Sequence, residues 1–340
     1  MKKLKFKKIY VLCPIGVKTG GPELLHQLVY QLNNIFGEDS AVIAYFGNIK
    51  KQEPVSEYNK YIASKWIETK DIKDERENLI IFPETALSQF NDYKYIHKYI
   101  WWLSVDNFLL TSSIKSSAHS VGWMHTIARW LKGNIRNYSK EIQAADAHLC
   151  QSYYSEKFLE NMGISKNKIK WLSDYINDLY VQDSDEAMKQ KKENIVLFNP
   201  KKGFKFTKKI ISMSKSENWK WIPLIGLKNT EVKKLLSSSK VYIDFGNHPG
   251  KDRFPREAAI LGCCIITGQR GAAKYQQDIP IDNKYKFSDK VEEIPDIIKI
   301  IRKCMDDYSN ESLNFEEYRE IIKKEKNTFK NSVNKIFNEE

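Results

Sequence analysis

Short apolar runs rich in β-branched residues alternate with stretches of helical period along almost the whole 340-residue chain. The runs predict strands over residues 9–13, 41–46, 79–82, 99–105, 147–151, 168–172, 194–198, 219–225, 241–245 and 264–267. Between the first two, residues 22–35 show the helical pattern clearly. Leu24, Leu25, Leu28, Val29, Leu32 and Ile35 share one stripe, and Pro22 suits a first helical position. Strands buried on both faces read as continuous apolar runs, so this alternation predicts parallel sheets covered by helices, the doubly wound α/β class. From Leu313 onward, Phe315, Tyr318, Ile321, Ile322, Phe329, Val333 and Ile336 recur at helical spacing.

One stretch breaks the rhythm. Residues 181–193 are charged and carry no apolar stripe, which predicts a linker between domains over 1–180 and 194–312, with 313–340 as a terminal helical segment. Length agrees, since two domains of ~150 residues fill such a chain. The 41% hydrophobic and 12% aromatic content fills two cores and excludes disorder. No apolar run approaches the ~18 residues of a membrane span. Lys2, Lys3, Lys5, Lys7 and Lys8 precede the apolar run 9–13 as in a signal peptide. That run stops at Pro14 with no small-residue cleavage site, so it reads as a first strand. Cys13, Cys150, Cys263, Cys264 and Cys304 form no CxxC pair, which points to reduced thiols and a cytoplasmic protein.

The net charge of +12 is spread along the chain: 24 basic against 19 acidic residues up to position 180, and 31 against 24 beyond. Only eight of the 55 basic residues are Arg, the residue that reads bases bidentately. The balance suits phosphates or an anionic membrane surface, or simply a solvated exterior, better than sequence-specific DNA recognition.

In open α/β sheets, ligands collect at the carboxyl ends of strands, against helix N-termini. Three such ends carry unusual residues. Lys18-Thr-Gly20-Gly21-Pro-Glu23 follows the first strand; it is neither a Walker loop nor GxGxxG, and reads as a ligand loop or a tight turn. Asn199-Pro-Lys201-Lys202-Gly203 follows the strand that opens the second half, where lysines neutralise a diphosphate or form a solvated turn. Gly246-Asn-His248-Pro-Gly250-Lys251-Asp-Arg253-Phe-Pro-Arg-Glu257 leads into a helix expected from about Pro255 to Gly262. In that helix Glu257 falls in the first turn, as a dipole partner or as an acceptor for a ribose diol.

The segment Pro255-Arg-Glu-Ala-Ala-Ile-Leu-Gly-Cys-Cys-Ile-Ile-Thr267 resembles the donor-binding segment of nucleotide-sugar glycosyltransferases of the two-Rossmann GT-B fold. Three further pieces agree in order: Gly20-Gly21, the strand–helix–strand from His148 through Gly163 to residue 177, and Lys201-Lys202-Gly203. The resemblance covers roughly residues 9–290 and is nearest to bacterial enzymes of capsule and lipopolysaccharide synthesis. It implies two Rossmann-like domains facing across a cleft, with a C-terminal helix docking back. It also implies a nucleotide diphosphate-sugar donor held by Gly20, Gly21, Lys201, Lys202, Gly203, His248, Gly250, Lys251, Arg253 and Glu257. Two positions depart from the family: Pro249 stands eight residues before Glu257, where retaining members have a second glutamate, and Asn199 and Lys201 stand where the family has an arginine.

For the transfer itself, cations and helix N-termini stabilise a leaving diphosphate without a metal. No His/Cys cluster has ligand spacing, and the one Asp-x-Asp, Asp183-Ser-Asp185, lies in the expected linker, so no cofactor and no metal are expected. An inverting reaction needs a general base, and Asp106, Glu84 and His125 are the candidates, each with a loop-building role as its alternative. The acceptor expected is a saccharide or lipid-linked saccharide. Trp123, Ile127, Trp130 and Leu131, with Arg129 and Lys132 beside them, lie near one helix face and suit either a membrane interface or packing against the sheet; packing is the favoured expectation. A non-hydrolysing nucleotide-sugar epimerase of the same fold is the alternative. A nucleic-acid-binding protein ranks last, for want of a helix-turn-helix, RNP or zinc signature.

Overall fold

The apolar runs become parallel strands in a computed structural model that describes residues 2–131, 133 and 135–339. The first seven are β1 (Ile9–Pro14), β2 (Ala41–Phe46), β3 (Trp66–Glu68), β4 (Leu79–Pro83), β5 (His97–Trp102), β6 (Ala147–Cys150) and β7 (Ile169–Trp171). They form one sheet in the order β3-β2-β1-β4-β5-β6-β7. The other five are β8 (Glu193–Phe198), β9 (Lys220–Pro223), β10 (Ser239–Asp244), β11 (Cys264–Gly268) and β12 (Lys286–Phe287). These form a second sheet in the order β12-β11-β10-β8-β9. Every strand pair is parallel. Ile9, Val11, Leu12, Ile80, Ile81 and Phe82 in the first sheet, and Val196, Leu197, Val241 and Ile265 in the second, are wholly shielded from solvent. Both faces of each sheet are therefore covered, as continuous apolar strands require.

The strand order reverses between β1 and β4 in the first sheet and between β8 and β10 in the second. At such a switch point the connections leave to opposite faces, and a crevice opens beyond the strand ends. Each sheet has one such point, and the sequence fills both with glycines and polar side chains.

The chain packs as two compact units, one ending at Asp174 and regaining the chain from Thr328, the other running from Tyr175 to Asn327. The first division falls ahead of the polar stretch 181–193. That stretch holds a short helix, Ser184–Lys189, and Ala187 is buried in the second core together with Tyr180. One apolar side chain suffices to dock a single helical turn, which is why no stripe announced it. The C-terminal helix Glu316–Phe337 serves both units. Tyr318 and Ile322 join the second core, whereas Phe329 stacks on Trp101 in the first, with ring centroids 6.3 Å apart.

Other boundaries shift as well. The strand expected to run to Val105 stops at Trp102, because Ser104 caps a helix, Val105–Ser112, by accepting the Asn107 N–H at 3.1 Å. All five cysteines are buried free thiols. Among the described residues no helix is long and apolar enough to cross a membrane.

Candidate active site

At the switch point of the second sheet, two loops touch backbone to backbone. Gly203 follows β8, Gly246 follows β10, and both have positive φ (+55° and +99°). A Cβ on Gly246 would lie 2.6 Å from the Gly203 nitrogen, so no side chain fits at either position. The contact carries Lys202 to the end of β10. Its ammonium hydrogen-bonds Asp252 Oδ2 at 2.6 Å and lies 3.1 Å from Asp244 Oδ1, while Asp244 Oδ2 accepts the Tyr242 hydroxyl at 3.0 Å.

The electrostatics follow from this geometry. Burial alone would lower the Lys202 pKa, but the two carboxylates outweigh it and the net shift is upward. Burial would likewise raise Asp252, yet Lys202 and His248 bring it down to about 2. His248 is fully buried, with Nδ1 2.8 Å from Asp252 Oδ2 and Nε2 3.2 Å from the Asp244 carbonyl oxygen. Its own carbonyl accepts from Ala272 N–H at 2.9 Å, which pins the loop beneath residues 268–272. Asp289 is raised mainly by burial; it accepts the Gly246 N–H and pairs with Arg270 at 3.1 Å. Asp252 occupies the N-cap of the helix Arg253–Ile260, but its carboxylate caps nothing and is spent on Lys202 and His248 instead.

Several expected donor residues have partners of their own within the protein. Lys251 is buried and paired with Glu325 Oε1 at 2.7 Å. The other oxygen of Glu325 takes Arg256 Nη1 at 2.9 Å, and Arg256, 0% exposed, also donates to the carbonyls of Lys251 and Asp252. Lys251 therefore helps hold the C-terminal helix to the loop. The helix starts at Arg253, two residues before Pro255, so Glu257 is its fifth residue rather than a first-turn acid, and the dipole-partner role falls away. Glu257 is 7% exposed, and its charge adds to the upward shift that burial and Asp244 impose on the Tyr242 hydroxyl. Arg253 is half-buried at the helix start, Gly250 is buried in the loop, and Lys201 is exposed beside Lys202. Sequence reasoning did not single out Asp244, Asp252, Arg256, Asp289 or Glu325. Asp244 closes an apolar strand, a position where an acid is costly without a partner, and that was the available signal.

Asp244, His248 and Asp252 are also the one group, among the described residues, whose metal-type donor atoms lie within 4.8 Å of one another. The Lys202 ammonium already lies against both carboxylates, so the group is built around a protein cation.

The first sheet gathers its own set. Gly20 and Gly21 open the helix Gly20–Phe36 after β1, and a Cβ on Gly21 would meet only Leu103 Cδ1, at an ordinary 3.6 Å. Glu84 follows β4 and accepts the Leu103 N–H just beyond β5 at 2.9 Å. Burial pushes Glu84 up to about 7 against the pull of backbone N–H groups, which places a carboxyl that titrates near neutrality at the strand ends. Asp106, expected at a strand terminus, is the second residue of the helix Val105–Ser112 and accepts the Tyr154 hydroxyl at 2.9 Å. His125 is exposed on the helix Trp123–Leu131. Lys132, expected beside that helix, lies outside the described residues.

No family model matches the sequence, and no curated protein matches it. Solved structures do. HepE of Anabaena, solved with UDP-glucose, superposes with a TM-score of 0.60 at 12% identity over 97% of this chain and 98% of that one. A single-residue variant of S. aureus TarM, solved with Fondaparinux, alpha-GlcNAc-glycerol and UDP, gives 0.54 at 16% identity over 80% of this chain, which spans 57% of TarM. The lipopolysaccharide outer core galactosyltransferase WaaB, in apo form, gives 0.54 at 12% identity over 97% of this chain and 99% of that one. At these identities the likeness is one of architecture, and with two parallel-sheet units it shows that this chain has the GT-B fold of those glycosyltransferases.

Proposed function

We propose that this protein is a glycosyltransferase that moves a sugar from a nucleotide diphosphate-sugar to a saccharide or lipid-linked saccharide acceptor. The setting proposed is bacterial surface polysaccharide synthesis, on the cytoplasmic side, with no metal required. The observation that carries the reading is Lys202 at the β8/β10 switch point, where two glycines with no room for a Cβ bring a cation and a helix start together. The fold supports it, as do the sugar nucleotide in HepE and the activity named for WaaB.

In the free protein the Lys202 charge is satisfied by Asp244 and Asp252. A donor diphosphate would compete with those carboxylates for the ammonium, aided by the N-terminus of the helix Phe204–Met213 and by Arg253. Stabilising the departing diphosphate this way needs no proton transfer. Activation of an acceptor hydroxyl, where required, falls to Glu84, whose raised pKa suits a general base near neutral pH.

Thermal-shift titration with nucleoside diphosphates and nucleotide sugars tests the proposal, since a ligand that binds only the native state raises the midpoint. The proposal expects one nucleotide to stabilise the wild type and to lose affinity in Lys202→Met and Glu257→Ala. If every nucleotide leaves the wild type unshifted, or if both variants bind as the wild type does, the donor assignment fails.

A further inference from the structure

The helix Trp123–Leu131 is amphipathic in the wrong sense for a soluble protein. At 100° per residue, Trp123, Met124, Ile127, Trp130 and Leu131 fall within an arc of about 120°. This is the face turned to solvent: Trp123 is 65% exposed, Met124 85% and Trp130 54%, with Ile127 and Leu131 also exposed. The contacts the helix makes with the rest of the unit are polar. Thr126, the one buried residue of the helix, hydrogen-bonds Gly122 O at 2.9 Å and Ser117 Oγ at 3.2 Å, and Arg129 Nη2 donates to Leu110 O at 3.2 Å. Packing against the sheet, the favoured sequence expectation for this stripe, is not what the structure shows.

The charge around the helix says what covers it. Between Asp106 and Glu141 the chain carries Lys115, Arg129, Lys132, Arg136 and Lys140 and not one acidic residue, although acids make up 43 of the 340 residues. Lys115, Arg136 and Lys140 are exposed. Two tryptophans on an outward apolar face, in a segment that carries five cations and no acid, match the chemistry of an anionic bilayer surface. Indole rings sit at the headgroup level, apolar side chains enter the acyl boundary, and lysine and arginine meet lipid phosphates.

We propose that the helix Trp123–Leu131 is an interfacial anchor that seats the first unit on an anionic phospholipid membrane. This inference rests on the exposed face and its charge, and stands apart from the donor chemistry of the second sheet.

Cosedimentation of the full chain, without nucleotide, tests it with vesicles of phosphatidylcholine alone and of phosphatidylcholine mixed with phosphatidylglycerol. The wild type should partition onto the mixed vesicles and not onto the neutral ones. Trp123→Ser/Trp130→Ser should weaken that partition at least about tenfold, because both side chains lose their place in the apolar boundary. Met124→Ser/Leu131→Ser serves the same purpose if the first variant does not fold, and Lys115→Ala/Arg136→Ala should reduce the dependence on phosphatidylglycerol. Three results overturn the proposal: no binding to either vesicle; binding that both apolar variants leave intact; or wild-type self-association, abolished by the apolar variants, in place of vesicle binding. A nucleotide titration of the same samples separates failure here from failure of the donor reading.

Discussion

The backbone of Gly203 lies against Phe245 and Gly246 so closely that a Cβ on Gly203 would sit 2.3 Å from the Phe245 carbonyl oxygen. Gly226 shares the left-handed conformation, with φ of +69°, but has nothing within 4 Å of a Cβ. Gly226→Ala should therefore cost only backbone strain, about 1–2 kcal/mol. Gly203→Ala adds a backbone clash that cannot rotate away, and should cost at least about 1–3 kcal/mol more. Urea unfolding of the two variants measures the difference, and equal destabilisation would mean that the two loops separate freely.

Removing the Lys202 ammonium leaves Asp244 and Asp252 facing each other without their shared cation. Lys202→Met should destabilise the protein by roughly 3–5 kcal/mol near neutral pH, as for other broken buried pairs. In the wild type, Asp252 is depressed to about 2, so its contribution is complete above its unfolded value near 3.8 and is lost as pH falls toward 2. The gap between wild type and variant should then narrow below about pH 4, as the Asp252 contribution is lost. Denaturant midpoints at pH 7 and pH 3.5 read this directly.

Glu84 titrates in the opposite sense. Its folded pKa, pushed up to about 7 by burial, lies above the ordinary 4.5, so the native state holds the proton more tightly. Stability is thus lost as pH rises from about 4.5 through 7, by on the order of 2–3 kcal/mol. Glu84→Gln keeps an acceptor for the Leu103 N–H and carries no charge. It should flatten the stability profile between pH 5 and pH 8 and gain on the wild type at the alkaline end. If Glu84 also serves as the base, the same variant should lower turnover by about a hundredfold or more.

Glu325 holds two buried cations, Lys251 and Arg256, from a position about 70 residues down the chain. Glu325→Ala takes the carboxylate from the fully buried Arg256 guanidinium and should cost about 3–5 kcal/mol. Glu325→Gln, which keeps the shape but not the charge, should cost less. Thermal unfolding ranks the pair, and an unperturbed alanine variant would show that water replaces the carboxylate.

Of the twelve strands among the described residues ten were legible: eight as buried apolar runs, which leave their mark in composition alone, and the edge strands Ile169–Trp171 and Lys220–Pro223 through the longer windows 168–172 and 219–225 that contain them. The two that were not, Trp66–Glu68 and Lys286–Phe287, sit at sheet edges and are short and partly polar, so neither carries a period long enough to register. The glycine and lysine loops were legible for a related reason: a strand end that must admit a close backbone and a cation is written in adjacent residues. Pairings were not. Lys202 meets Asp252 from 50 residues away, and the lysine-rich loop alone did not reveal that its cation arrives already neutralised.

Local order along the chain was enough to determine the doubly wound class, the placement of glycine-bearing loops at strand ends, and the identity of the amphipathic helix 123–131, since propensity and period act between near neighbours. Tertiary structure decided which way that helix faces, that Lys251 pairs with Glu325, and that Glu84 is buried into a near-neutral pKa. Those outcomes depend on burial and on charges brought together across tens of residues, and desolvation and Coulomb energy arise only once the folded chain has excluded the water between them.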